Sequence, residues 1–356
     1  MTLLLDNADV LRVLDLDACI TALEEAFGDL ASGRATNRPR SHSYTPLGEG
    51  RHYLFKSMDG SLPRHGVHAL RLSSDHTHEF TRDGRRRREK IASAPGGRYV
   101  GLVLLFDIET LVPLAIIQDG ELQRARVGCT SAVAARHLAR TDARRVALVG
   151  SGWQAEMQLR ALARVRDLAD VRVYSTDPTH AERFCARLAP EVGIPVAPAR
   201  TARETVADAD IVVLATNSHD PVIAGAWLEP GQHVNSVQSH EIDDATLDRA
   251  ALIAVRSRDA ATFHFPPGQG PVEATEVRDP PADLRRKMAE LGEVIAGRAG
   301  RRSPEDITLF TGGGLGVSSG LGIQFAAAGY AVYRAARDAG VGRELPTEWF
   351  TETAKP

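Results

Sequence analysis

Arg145-Val146-Ala147-Leu148-Val149-Gly150-Ser151-Gly152-Trp153-Gln154-Ala155 is the stretch that decides the fold. An apolar run ends in a glycine turn, and a helical pattern follows through Met157, Leu159 and Leu162. A β-rich run, Val171-Arg172-Val173-Tyr174, closes the unit. Strand, glycine turn, helix and strand in this order carry the G-x-G-x-x-A form of the dinucleotide fingerprint. Gly150 permits the tight turn. Gly152, without a Cβ, lets a pyrophosphate approach the backbone, and Ala155 lets helix and strand pack closely. The helix N-terminus offers free N–H groups and a positive dipole end to phosphates. The competing reading is a glycine turn that only packs.

Outside this unit, Asp210-Ile211-Val212-Val213-Leu214-Ala215-Thr216, Val234-Asn235-Ser236-Val237 and Leu252-Ile253-Ala254-Val255 read as buried strands. Their alternation with helices predicts a parallel, doubly wound α/β sheet, a Rossmann domain. Upstream, residues 8–32 read as one amphipathic helix with Gly33 as its stop. Residues 36–73 hold short β-like runs, among them His52 to Lys56 and Val67 to Leu72. Residues 74–98 are polar and irregular, and Arg85-Arg86-Arg87-Arg88 within them reads as a solvated loop, with phosphate binding as the alternative. Tyr99 to Asp107 and Pro113 to Ile117 predict two strands turning at Glu109-Thr110. Helices are expected over 126–140 and 324–339, the second stopped by Gly340. A glycine-rich stretch, Thr311-Gly312-Gly313-Gly314-Leu315-Gly316, precedes it.

The 356 residues suggest two domains, and 43% hydrophobic with 25% charged residues is a globular composition. A net charge of -3 gives no reason to expect nucleic acid or a membrane surface as partner. Cys19, Cys129 and Cys185 are scattered, which suits a reducing cytoplasm and argues against a disulfide framework or a metal site. No run is long and apolar enough to span a bilayer, and no signal-peptide order opens the chain.

The residues at this point match a family. Gly101 to Asp107 leads to Pro113-Leu114-Ala115. Arg126-Val127-Gly128-Cys129-Thr130-Ser131-Ala132 is similar to an R-T-G/A-A-x-S-A stretch, and Gly150 to Gln154 to a G-x-G-x-Q turn. Ala209 to Ser218 is similar to A-D-I-V-x-x-A-T-x-S, and Ala339 to Pro346 to A-x-x-x-G-x-G-x-x-L-P. Nearly the whole chain resembles the ornithine cyclodeaminase/mu-crystallin family, which includes ketimine reductases and archaeal-type alanine dehydrogenases. The resemblance implies a substrate-binding and dimerisation domain built from both chain ends, 1–125 with 323–356, around a Rossmann domain at 126–322. It implies an active site in the cleft between them and a homodimer. Arg40 and Arg126 match arginines that hold the substrate carboxylate, a role suited to a guanidinium fork; a surface salt bridge is the plainer alternative for each. Thr216, Asn217, Ser218 and Val237 join Gly150, Ser151, Gly152, Trp153, Gln154 and Ala155 as the expected cofactor-binding set.

Three departures mark this chain. Arg71 stands where the family has its active-site lysine. His240 stands where its catalytic aspartate is expected, with Glu241 beside it. Ser319 lies near a usually acidic position. A histidine cannot serve as a carboxylate for an ammonium group, but it can donate a proton near neutral pH. Arg71 stays charged and is suited to holding a second carboxylate or a carbonyl-derived oxygen. Lys56, in the neighbouring run, stands in for the missing lysine only if the strands pair suitably.

The expectation is an NAD(P)H-dependent oxidoreductase acting on a small amino or imino acid. A lyase of the ornithine cyclodeaminase type and a non-catalytic nucleotide- or ligand-binding protein are the alternatives. The choice between NAD and NADP turns on the end of the second strand. A carboxylate about 20 residues after the glycines reads the ribose hydroxyls of NAD, and counting lands on Ser175. Ser175 and Thr176 suit a 2′-phosphate, and Asp177 before Pro178 is expected to cap the next helix instead. A modest preference for NADPH, with NADH still used, follows.

Overall fold

The structure, a computed structural model, describes residues 1–82, 85–218, 220–258, 262–268, 272–273, 281–311 and 320–353. The Arg85–Arg88 side chains and residues 312–319, most of the glycine-rich stretch and Ser319 included, lie outside the described residues.

In chain order the first part comprises β1 (Thr2–Leu5), α1 (Asn7–Val13), α2 (Leu16–Ala31), β2 (Thr36–Asn37) and β3 (Arg40–Gly48). It continues with β4 (Arg51–Leu62), β5 (Val67–Arg82), β6 (Arg85–Ile91), β7 (Val100–Asp107), β8 (Pro113–Gln118) and α3 (Asp119–Leu138). The nucleotide-type unit follows as β9 (Arg145–Val149), α4 (Trp153–Leu162), β10 (Asp170–Tyr174), α5 (Pro178–Val192), β11 (Val196–Pro198), α6 (Ala202–Val206), β12 (Ile211–Leu214) and β13 (His233–Ser236). Then come α7 (Asp244–Arg249), β14 (Leu252–Val255), β15 (Thr262–Phe265), β16 (Val272–Glu273), α8 (Ala282–Lys287), β17 (Met288–Glu290) and α9 (Leu291–Ile295). The chain closes with β18 (Thr308–Thr311), α10 (Gly322–Ala339) and β19 (Arg343–Leu345).

Two sheets result. The parallel one has eight strands in the order β11-β10-β9-β12-β13-β18-β14-β17. Its chain order reverses between β9 and β12, so a crevice opens at their C-terminal ends, the place where open α/β sheets bind ligands. The other sheet runs β16-β15-β3-β4-β5-β7-β8-β1-β19, with β2 on β4 and β6 on β5. Apolar cores pack on both faces of the parallel sheet, and a third joins α2, α3 and α10 to the mixed sheet.

Several expectations are corrected. The single helix over 8–32 is two, because Asp15 interrupts it and caps α2 by accepting from Asp17 N at 2.8 Å. Residues 74–98 are not an irregular loop: β5 runs on to Arg82 and pairs with β6 as a hairpin. Ser73, Asp75 and Thr77 are buried while Ser74, His76 and His78 are half-buried. The period is two, but polar residues occupy the inner face, so hydrophobicity does not reveal the strand. The helix expected from 126 starts at Asp119, so the expected boundary at 125/126 falls inside α3. Thr262–Phe265, expected in the nucleotide unit, pairs parallel with β3.

Register fixes what faces the crevice. His42 lies opposite Lys56, Lys56 opposite Ser73, and Ser73 opposite Gly101. Opposed residues share a face and alternate ones return to it. Arg40, His42, Lys56, Arg71, Ser73 and Asp75 therefore project together. The other face of the same strands carries Phe55, Leu70, Leu72, Leu102, Leu104 and Ile116, all half-buried.

Candidate active site

At the end of β9 the chain turns at Gly150 with φ +114°. A Cβ there would lie 2.2 Å from the Ala215 carbonyl oxygen, so no other residue fits. Gly152 begins α4, and the space where its Cβ would stand is open. No side chain caps α4, so its first N–H groups are available to an anion. A groove of about 570 Å³ passes this helix end. It is walled by Gly150, Ser151, Gly152, Trp153 and Gln154 on one side and by Ser175, Thr176, Thr216, Asn217 and Ser218 on the other. These residues fit a dinucleotide. Ala155, fully buried, packs the helix on the sheet. Val237 lines neither this groove nor the neighbouring cavity; its N–H donates to Leu214 O. Asp177 caps α5 by accepting from His180 N at 3.0 Å and does not line the groove. His180, which the sequence reading missed, lines it and holds Ser151 Oγ at 2.7 Å through Nδ1.

A second cavity, about 450 Å³, adjoins the groove at Thr216 and Asn217, which line both. His42, Lys56, Thr77, Glu89, Lys90, Gln238 and His240 complete its described lining. His240 comes from a short 3₁₀ turn after β13 and lines the cavity together with Lys56, whose strand β4 pairs with β3 and β5. Burial, Lys90, Arg40 and Arg71 together outweigh Asp75 and hold the Lys56 ammonium down at about 8. Glu241 points the other way. It is fully buried and accepts from Thr216 N at 2.6 Å, Thr216 Oγ1 at 2.8 Å and Gln238 N at 2.9 Å, stapling the loops after β12 and β13.

Beside this cavity two guanidinium groups converge. A Cβ on Gly320 would stand 2.9 Å from Arg40 Nη2 and 3.2 Å from Arg126 Nη2. Arg40 has Nε buried without a hydrogen-bond partner among the described residues. Burial and Arg71 lower it to about 10. Arg126 reaches from the middle of α3 and donates to Gln324 Oε1 at 3.2 Å. Gln324 in turn donates to Thr130 Oγ1 at 2.7 Å. Arg256, buried at the end of β14, adds its field: burial lowers Arg126 most, then Arg256, Arg40 and Arg71. A bound carboxylate would relieve that repulsion.

Arg71 departs from its expected role. Its Nε donates to Asp119 Oδ2 at 2.7 Å and its Nη2 to Gln123 Oε1 at 3.0 Å, and it does not line the cavity. Asp119 reaches it because Gly101 has no side chain: a Cβ there would meet Asp119 Oδ1 at 2.1 Å. Phe325 lies beneath both Arg71 and Arg126, 5.7 and 5.1 Å from their Cζ atoms. Asp119, Gln324 and Phe325 were missed by sequence reasoning. The acidic first turn of α3 was the available signal for Asp119; the others have none outside the packed structure. Among the described residues no cluster of His, Cys, Asp or Glu is placed to hold a metal ion, and no helix is long and apolar enough to cross a membrane.

The sequence model of the ornithine cyclodeaminase/mu-crystallin family matches residues 1–338. The chain is 32% identical over 256 residues to a Delta(1)-pyrroline-2-carboxylate reductase of Bacillus cereus, covering 69% of this chain and 74% of the relative. Among solved structures it is similar to the Delta(1)-pyrroline-2-carboxylate reductase of Thermococcus litoralis in complex with NADH and L-proline, with TM-score 0.77 and 26% identity over 97% of this chain and 100% of that one. It is similar also to an archaeal alanine dehydrogenase dimer with bound NAD, with TM-score 0.75 and 26% identity over 97% and 99%.

Proposed function

This chain belongs to the ornithine cyclodeaminase/mu-crystallin family, and we propose that it is an NAD(P)H-dependent oxidoreductase that reduces the C=N bond of a small imino acid. The observation that carries the reading is the junction at Thr216 and Asn217, where a dinucleotide groove opens onto a cavity rich in cations. Gly150 to Gln154 and Ser175, Thr176, Thr216, Asn217 and Ser218 would hold the dinucleotide. When bound in reduced form it supplies the hydride taken up by the substrate's α-carbon.

The remaining work belongs to this chain's side chains. Arg40 and Arg126 grip the α-carboxylate and aim the substrate. His240 delivers a proton to the imine nitrogen. Arg71, paired with Asp119, is a positioning residue that supports the electrostatic field around Arg40 and Arg126. Among the described residues that line the groove none is a carboxylate, and Asp177 is taken up by its helix cap; Ser175, Thr176 and His180 line the groove and would be available to a ribose 2′-phosphate. NADPH is therefore the preferred cofactor, with NADH accepted. Cyclodeamination of a diamine fits less well. Its distal ammonium needs a carboxylate, yet Asp75 already lies between Lys56 and Lys90, and Glu89 on the lining is exposed and faces His78.

The proposed assembly is a homodimer joined through the uncovered apolar face of Phe55, Leu70, Leu72, Leu102, Leu104 and Ile116. The three buried free cysteines suit a reducing cytoplasm. The domain division we propose follows the sheets, with substrate gripped from the mixed sheet and dinucleotide on the parallel one. The test is the loss of reduced-dinucleotide absorbance with a panel of cyclic imino acids and of 2-oxo acids mixed with ammonia. Steady oxidation is expected. Arg40→Ala or Arg126→Ala should weaken substrate binding by roughly 1.5–3 kcal/mol, the range for a hydrogen bond to a charged group. Release of ammonia from ornithine without net cofactor oxidation would instead identify a cyclodeaminase, and cofactor binding without turnover a binding protein.

A further inference from the structure

The cavity is unusual for what lines it. Its described walls hold two lysines, Lys56 and Lys90, one acid, Glu89, and hydrogen-bonding groups such as His42, His240 and Thr77, and no apolar residue. Asp75, buried behind them, lies 3.4 Å from Lys56 Nζ and 2.8 Å from Lys90 Nζ and also accepts from Ser73 Oγ at 3.1 Å. Asp75 is shared between the two ammonium groups, which leaves each of them donors to spare. The cavity's other acid, Glu89, is exposed and faces His78 Nδ1 at 3.6 Å.

An apolar ring or methyl group entering this space would displace water from charged and polar groups and return no hydrogen bonds, which is unfavourable. An anionic group would accept from several donors at once, the ammonium groups of Lys56 and Lys90 among them. The α-carboxylate is assigned to Arg40, on the same sheet face, and to Arg126, which reaches toward Arg40 from α3. Arg40 lies two residues before His42, and His42 lies directly across from Lys56.

We propose that the substrate is a dicarboxylic imino acid, with its α-carboxylate on Arg40 and Arg126 and its side-chain carboxylate among Lys56, Lys90 and Thr77. This rests on the reading of the chain as an imino acid reductase. It specifies a substrate formed from a 2-oxo dicarboxylate and ammonia with loss of water, and a product that is an acidic amino acid.

The test uses the full-length protein saturated with oxidised dinucleotide and titrated calorimetrically with succinate or butyrate, which cannot react. Succinate should bind at least tenfold more tightly. Lys90→Met, which leaves Asp75 paired with Lys56 alone, should reduce that ratio below threefold, and Lys90→Arg should restore it. Equal affinity for the two acids, or a ratio unmoved by Lys90→Met, overturns the proposal. The kinetic arm separates it from the broader reading. Oxidation of reduced cofactor with monocarboxylic imino acids at a kcat/KM tenfold above that for dicarboxylic ones overturns this proposal and leaves the reductase reading standing. Tight succinate binding with no turnover of any imino acid overturns the reductase reading and keeps the dianion site.

Discussion

Lys56 shows how a residue of low prominence in the sequence comes to line a cavity through its surroundings. Its own run, His52 to Lys56, reads as an ordinary strand ending in a basic residue. Across the sheet it meets His42 and Ser73, and in space it meets Asp75 at 3.4 Å. Burial and neighbouring cations bring its ammonium down to about 8. Below that pH the amine is charged and attracts an anion; above it the charge is lost. Dicarboxylate affinity should therefore weaken as pH rises through about 8, with a bound anion moving the midpoint upward. Titrations from pH 6.5 to 9.5 check this: Lys56→Met should flatten the profile, and an unchanged profile in that variant removes Lys56 from the binding role. Arg71 teaches the opposite lesson. Its alignment with a catalytic lysine is plain in sequence, yet Asp119, far away in the chain, takes up its guanidinium. Pairings of that kind arise only when a helix start and a strand meet.

At the scale of elements, the strands buried on both faces were legible, because continuous apolar runs bounded by turn residues leave little choice. The glycine turn, the helix after it and the Asp177 cap were legible for the same local reasons. The β5–β6 hairpin was not, since its inner face carries serine, aspartate and threonine. Parallel strand β13 contains a further case. His233, fully buried, joins Nδ1 to Thr308 Oγ1 at 2.9 Å and Nε2 to Asn235 Oδ1 at 3.2 Å. Asn235 donates to Ser131 O at 3.2 Å and so ties the parallel sheet to α3. Burial, then the charge of Arg301, lowers His233 to about 3, so it stays neutral in the folded protein at pH 5. The unfolded chain takes up a proton there below its ordinary value of about 6.5. Stability contributed by this residue is complete above that value and falls as pH drops toward 3. Between pH 7.5 and pH 5 the loss is about 2 kcal/mol. Urea unfolding at the two pH values should show a pH-dependent loss smaller by about that amount in His233→Asn than in the unaltered protein. An identical pH dependence in both would show that His233 does not supply it.

For the whole molecule, the two-sheet plan follows from how the chain is threaded. Both ends and the excursion Thr262–Phe265 build the mixed sheet, and the middle builds the parallel one. The excursion was not legible, because a four-residue strand following an ordinary sheet strand gives no local sign of which sheet it joins. The proposed site lies where the groove on the parallel sheet adjoins the cavity beside the mixed sheet, at Thr216 and Asn217. In the proposed reading the glycine turn offers a place for a dinucleotide without substrate groups, and Arg40, Arg126 and Lys56 offer substrate groups without a reductant. Through Thr216 and Asn217 the two are proposed to form one reaction site. A single-turnover experiment tests it most directly: the protein is loaded with dinucleotide deuterated at the reactive face of nicotinamide C4, mixed with a dicarboxylic imino acid, and the product is weighed by mass spectrometry. An amino acid carrying one deuterium on its α-carbon is expected for each dinucleotide oxidised. Product without the label, or oxidation of the dinucleotide without product, would contradict it.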